Sequence, residues 1–224
     1  MTETEIRNAL IKRLSASAYG AKAAFISEMF VDKFSRRADL VMANGKLSVF
    51  EIKSDRDSLE RLEGQISSYQ NFFEEVTVVC ATRHQVNVEA LVPKNIGVWL
   101  IDSDGHLSVV RKAKAEKLPT IENWLSFLPV DELKKMLRIK GLPATGNRSN
   151  LVNTASLLPV KSVRAYVLSF LKRRVERIDA LRAKKVEKLT PSGADSTRNC
   201  IKQLHDFIQS LPNVVSAIPR RITH

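Results

Sequence analysis

Residues 36–57 read RRADLVMANGKLSVFEIKSDRD, and few backbone paths accommodate that run. Two strand-forming stretches, DLVMA (39–43) and KLSVFEIKS (46–54), flank Asn44-Gly45, a pair suited to a reversed turn with positive φ. The run predicts an antiparallel hairpin. Its second strand carries Glu51 and Lys53 among Leu47, Val49, Phe50 and Ile52, and its first opens on Asp39. An ionised carboxylate in a buried strand is costly unless something compensates it, which leaves an ion pair or a metal.

Parity decides whether these groups meet. Glu51 and Lys53 are two apart, so both leave one face of the strand and Ile52 leaves the other. A two-residue turn at Asn44-Gly45 sets position 39 opposite 50 and sends Asp39 to the far face. A three-residue loop over Ala43–Gly45, with Gly45 left-handed, sets 39 opposite 49 and gathers Asp39, Val49, Glu51 and Lys53 on one surface. The sequence suits both turns. Two converging carboxylates can hold Mg²⁺ through oxygen, with waters and a phosphate completing the shell, and a nearby Lys can orient water or stabilise phosphate charge. The plainer alternative is a Glu-Lys or Asp-Arg ion pair at a strand end.

Around the hairpin, Ile6, Ala9, Leu10 and Leu14 are spaced as one helix face over 3–14, with Thr2 and Thr4 as caps. FISEMFV (25–31) reads as a strand. Asp57 and Glu60 are spaced as a capping box for a helix through Phe73. VTVVCA (76–81), IGVWLID (96–102) and HLSVV (106–110) are further strands, with a short helix near 86–92 and a turn at Ser103-Asp104-Gly105. The order α-β-β-β-α-β, then more β, predicts a mixed sheet with helices on both faces. Beyond the linker RKAKAEKLP (111–119), residues 129–156 predict two short helices around Gly141-Leu142-Pro143, with Gly141 as a left-handed cap. A basic amphipathic helix follows over 160–188, with Val163, Val167, Phe170, Leu171, Val175, Ile178 and Leu181 along one side. A last helix is predicted over 197–211.

Charge is divided unevenly along this plan. Residues 1–110 carry 13 Lys and Arg against 15 Asp and Glu, net −2, whereas residues 111–224 carry 23 against 9, net +14. A basic block appended to a nearly neutral one is the footprint of a polyanion holder, with DNA as the expected partner. No run approaches the length of a membrane span, and MTETEIRNALIKRL lacks the basic start and apolar core of a signal peptide, so a cytoplasmic protein without a membrane partner is expected. Cys80 and Cys200 lie far apart and the histidines form no ligand-spaced cluster with them, which argues against structural zinc and a disulfide framework.

RADLVMANGKLSVFEIKS, in this order of elements, resembles the PD-(D/E)xK nuclease superfamily, with Ala38 where the name-giving proline would stand. The resemblance covers residues 1–110 and extends to R-A-D, E-I-K-S-D and L-E-R-L-x-x-Q, as in a small bacterial and phage branch. It implies a restriction-endonuclease-like αβββαβ core over residues 1–115 and a Mg²⁺-dependent deoxyribonuclease, with Mn²⁺ as an alternative ion. Asp39 and Glu51 would ligate the metal, Lys53 would position water, and Gln65 would approach the scissile phosphate, sharing its helix face with Arg61 and Tyr69. Glu28, or second Glu5, would be a further ligand. A homodimer is compatible with cutting both strands.

Residues 116–224 are expected to form a basic helical region. Within it VDELKKMLRIKGLPATGNRSNLVN is similar to the SAP DNA-binding hairpin, with Leu133, Leu137, Leu142, Leu151 and Val152 as its core and Asn153 where a basic residue is usual. Lys134, Lys135, Lys140 and Arg148 would meet phosphate, as would Lys172, Arg173, Arg174 and Arg177 on the long helix. The competing readings are a catalytically inactive DNA-binding protein on the same nuclease-like fold, and a regulatory protein whose basic helices bind an acidic protein.

Overall fold

Thr2 starts the first helix, α1 (Glu3–Ser15), by a reciprocal cap: its hydroxyl accepts from the Glu5 amide at 3.3 Å and its own amide donates to the Glu5 carboxylate at 2.7 Å. The computed structural model describes residues 1–31, 35–115 and 118–189. After α1 come β1 (Ala24–Val31), β2 (Arg36–Ala43), β3 (Leu47–Lys53), α2 (Leu62–Phe72), β4 (Glu75–Ala81), α3 (Gln85–Leu91), β5 (Gly97–Ile101) and β6 (Leu107–Arg111). The six strands form one sheet in chain order. β1, β2 and β3 are antiparallel, β3, β4 and β5 run parallel with α2 and α3 as crossovers, and β6 returns antiparallel to β5. The mixed sheet is therefore the α/β arrangement the order of elements predicts.

Strand parity sorts the core into two layers. Leu40, Met42, Phe50 and Ile52 leave one face and pack with Ile6, Leu10 and Leu14 of α1. Val41, Ala43, Leu47 and Val49 leave the other, where α2 contributes Leu62, Ile66 and Tyr69. The same apolar cluster continues into four more helices, α4 (Ile121–Ser126), α5 (Val130–Ile139), α6 (Arg148–Ala155) and α7 (Val160–Leu189). Trp124 and Leu125 of α4, Leu133 and Leu137 of α5, Leu151 of α6 and Val163, Val167 and Leu171 of α7 are among its buried members. Each such side chain contributes about 1.5–3 kcal/mol by leaving water, so the basic helices are held to the sheet by a shared core.

Several local expectations need correction. α2 starts at Leu62 because Asp57 is not its cap: the Asp57 carboxylate accepts from the amide and hydroxyl of Ser54, at 2.7 and 2.5 Å. α4 was not foreseen; Thr120 caps it by accepting from the Asn123 amide at 3.3 Å. On α7, Leu181 is 58% exposed and leaves the apolar stripe, while Val175 and Ile178 are partly buried. Gly141 does take the left-handed conformation, φ +68°, with the Leu142 amide bonded to the Leu137 carbonyl and its own to that of Arg138. The helix expected over 197–211 lies outside the described residues. No helix among the described residues is long and apolar enough to cross a membrane.

Candidate functional site

The β2–β3 hairpin pairs Leu40 with Phe50, Val41 with Val49, Met42 with Ser48 and Ala43 with Leu47. Its loop is thus three residues, Asn44–Lys46, with Gly45 at φ +69° and the Asn44 amide bonded to the Lys46 carbonyl at 3.0 Å. The loop sits one residue later than Ala43–Gly45. Continued by one step, that register sets Asp39 opposite Glu51, not Val49, and the parity is unchanged. Asp39, Glu51 and Lys53 therefore share the face that α2 covers.

They line a cavity of about 260 Å³ at the carboxyl end of β3, together with Gln65, Glu3, Arg36 and Arg61. Glu51 is 1% exposed, Lys53 6% and Asp39 8%. The Lys53 ammonium donates to Glu51 at 2.9 Å and to the Gln65 side-chain oxygen at 3.0 Å. The other Glu51 oxygen accepts from the Tyr69 hydroxyl at 2.8 Å, and the Arg37 carbonyl lies 3.0 Å from the same hydroxyl. Asp39 accepts from the Ile52 amide at 2.7 Å. Burial, and then the neighbouring Glu51, hold the Asp39 carboxyl well above its ordinary range, against the pull of the Ile52 amide. Burial and Glu51 likewise raise the Tyr69 phenol, which stays protonated as a donor. The cavity floor is two carboxylates facing one ammonium.

Glu28 does not join them. It interrupts β1 between the pairs Ser27 with Leu40 and Met29 with Ala38, in a left-handed conformation with φ +53°. Its carboxylate is paired with Arg7 at 3.2 Å and with Arg37, a residue of the cavity lining, at 3.1 Å, so its charge is already compensated. Glu5 is used in the helix cap. Glu3 and Arg36 reach the cavity instead, and only tertiary structure could show it, since neither belongs to a local pattern.

The residues expected to meet DNA divide into engaged and free. Arg148 donates to the Leu128 and Leu125 carbonyls at 2.7 and 3.3 Å, so it closes the end of α4. Lys172 reaches the Lys22 carbonyl at 3.2 Å, and Arg173 bonds Ser169 and Glu132 while lying 5.6 Å over the Tyr166 ring. Arg174 is partly buried, which lowers its pKa. Lys135 stands 4.0 Å from Glu132. Lys134, Lys140 and Arg177 have no ion pair among the described residues, nor do Arg138, Lys161 and Lys184, which the motif reading passed over.

The family model for bacteriophage P4 protein cII matches residues 1–193. The chain belongs to that family. Protein cII of Enterobacteria phage P4 is 36% identical over 179 residues, covering 78% of this chain and 68% of the relative. No solved structure matches. The cII family, and not a nuclease family, is what the chain matches, and this overturns both the PD-(D/E)xK assignment and the deoxyribonuclease activity drawn from it. The Asp, Glu-x-Lys signature is short, and in this cII-family chain Lys53 and Tyr69 occupy both oxygens of Glu51, which answers the cost of burying it without chemistry.

Proposed function

We propose that this chain is a non-catalytic, DNA-binding regulatory protein. The observation that carries the reading is the set of cations left without ion pairs on α5, its C-terminal cap and α7: Lys134, Arg138, Lys140, Lys161, Arg177 and Lys184. They belong to the half of the sequence with net charge +14. Such groups gain by replacing the condensed counterions of DNA, and they position a protein on the backbone without reading bases. Membership of the cII family supports the non-catalytic side of the proposal. Full-length protein mixed with supercoiled plasmid in Mg²⁺ should retard the plasmid and leave it supercoiled. Nicking or linearisation at stoichiometric protein, or free plasmid at low salt, would refute it.

The carboxylate cavity serves in this reading as a cation site. Asp39 and Glu51 would hold Mg²⁺, with Mn²⁺ also suited, because their carboxylates line one cavity and an ion there would take the place of the Lys53 ammonium on Glu51. Glu28 is left out, being paired with two arginines. Mn²⁺ binding followed by electron paramagnetic resonance tests the site, with Asp39→Asn as the variant that should lose the bound signal.

A further inference from the structure

The two faces of the sheet are covered unequally. One carries α2 and the core shared with α4 to α7, whereas the other, among the described residues, carries α1 alone. A helix is about 10 Å across and strands lie about 4.8 Å apart, so α1 spans roughly two strands and leaves a flank at β5 and β6. On that flank Trp99 pairs with Val109 and Ile101 with Leu107, which puts Trp99, Leu107 and Val109 on the α1 face. The register then slips: Val98 pairs with Arg111, and Val110 is the extra residue of a bulge. Val109 and Val110 are 41% and 42% exposed, beside the partly buried Trp99 and Leu107. β6 is an edge of the sheet, and Leu107–Val110 holds no charge, proline or glycine to guard it. Because the bulge interrupts the edge itself, what β6 offers is an apolar face.

The chain through this patch is oppositely charged at its two ends. Asp104, exposed in the β5–β6 turn, precedes Val109 by five residues, and Lys114, also exposed, follows it by five. The Lys114 amide donates to the Asn95 carbonyl at 2.8 Å, so the path continues beside β5 as far as Lys114. At roughly 3.3 Å per residue each end then lies about 16 Å from Val109. Asp102 adds to the acidic end and Lys112 to the basic one, and Asp104, Lys112 and Lys114 have no ion pair among the described residues. We infer that this flank is an interface with a second copy of the chain, formed about a two-fold axis at Val109. Two copies crossing antiparallel bring Trp99, Val109 and Val110 onto their counterparts and each copy's Asp104 to the other's Lys114, the self-complementarity that a two-fold contact requires. A parallel crossing would oppose like charges, and DNA laid on the patch would meet Asp102 and Asp104. The interface uses none of the residues assigned to the cation site or to DNA.

Sedimentation equilibrium of the full chain without DNA tests the assignment. The mass should rise reversibly from 25.2 kDa toward twice that value as the concentration increases into the tens of micromolar. Val109→Asp, at an exposed position, should leave a monomer with native circular dichroism. Asp104→Lys and Lys114→Glu should each weaken the dimer by roughly tenfold, since each sets like charges together at both ends of the axis. An equimolar mixture of these two variants should recover the native affinity, because each then meets an opposite charge on the other at both ends. A chain that stays at 25.2 kDa overturns the proposal and leaves the face to a different protein. So does a dimer unmoved by Val109→Asp, or a mixture that associates no more tightly than its components.

Discussion

Replacing Lys53 by Met would keep the length and apolar stem of the side chain and remove only the ammonium. Glu51, 1% exposed, would lose its 2.9 Å ion pair and keep the 2.8 Å bond from Tyr69. Removing one partner of a buried pair costs about 3–5 kcal/mol, and the surviving Tyr69 donor places the loss near 3 kcal/mol. For a chain of this size a loss of about 3 kcal/mol lowers the melting temperature by roughly 6–12 °C. Adding Glu51→Gln supplies a neutral acceptor for Tyr69 and removes the stranded charge, so the double variant should recover to within about 1 kcal/mol of the native chain. Urea unfolding followed by circular dichroism reads both values. A single variant within about 1 kcal/mol of native, or a double variant no more stable than the single, would show that burial of Glu51 does not depend on Lys53.

Asp39→Asn carries a pH signature. Because the folded carboxyl is raised above its unfolded value, its contribution is fully present below the ordinary Asp range and is lost as pH rises through the folded value. The Asn variant should therefore gain stability relative to the native chain as pH increases from 4 to about 8, measured by urea unfolding; a gain that shrinks with pH would reverse the sign. Gly141→Ala meets no atom within 4 Å but must hold φ +68°, so it should cost about 1 kcal/mol in thermal unfolding. Arg148→Ala should destabilise by about 1–3 kcal/mol through loss of its charged hydrogen bonds to the Leu125 and Leu128 carbonyls and leave duplex affinity nearly unchanged, whereas Lys140→Gln should do the reverse, with electrophoretic retardation as the check.

The sequence showed the strands and the capped first helix because their signals are local. Thr2 and Glu5 need only each other, and alternation over 39–54 needs only the hairpin. Convergence of Asp39 with Glu51 was legible up to the loop, since either three-residue loop gives the same parity and only the structure separates Ala43–Gly45 from Asn44–Lys46. Other assignments failed where a side chain found a better partner at long range. Asp57 had the spacing of a cap but bonds Ser54, and Glu28 had the charge of a ligand but answers Arg7 and Arg37. Arg148 had the position of a phosphate contact in the hairpin, yet α4, too short to be read from periodicity, ends beside it. The nuclease resemblance rested on Asp39, Glu51 and Lys53 in a plausible order of elements, with the short motifs R-A-D, E-I-K-S-D and L-E-R-L-x-x-Q beside them. The cII family match extends over residues 1–193, which a set of short motifs within residues 1–110 cannot outweigh.

The central claim, that the basic helices hold DNA by its backbone, is tested most directly by fluorescence anisotropy of the full chain on two duplexes of unrelated sequence across a salt series. Both affinities should fall together and linearly on a log-log plot, with a slope of about 0.9 for each phosphate neutralised. Replacing Lys134, Lys140 and Arg177 by Gln should reduce that slope by several phosphates. Affinity that ignores salt, or a slope untouched by the triple variant, would contradict the account.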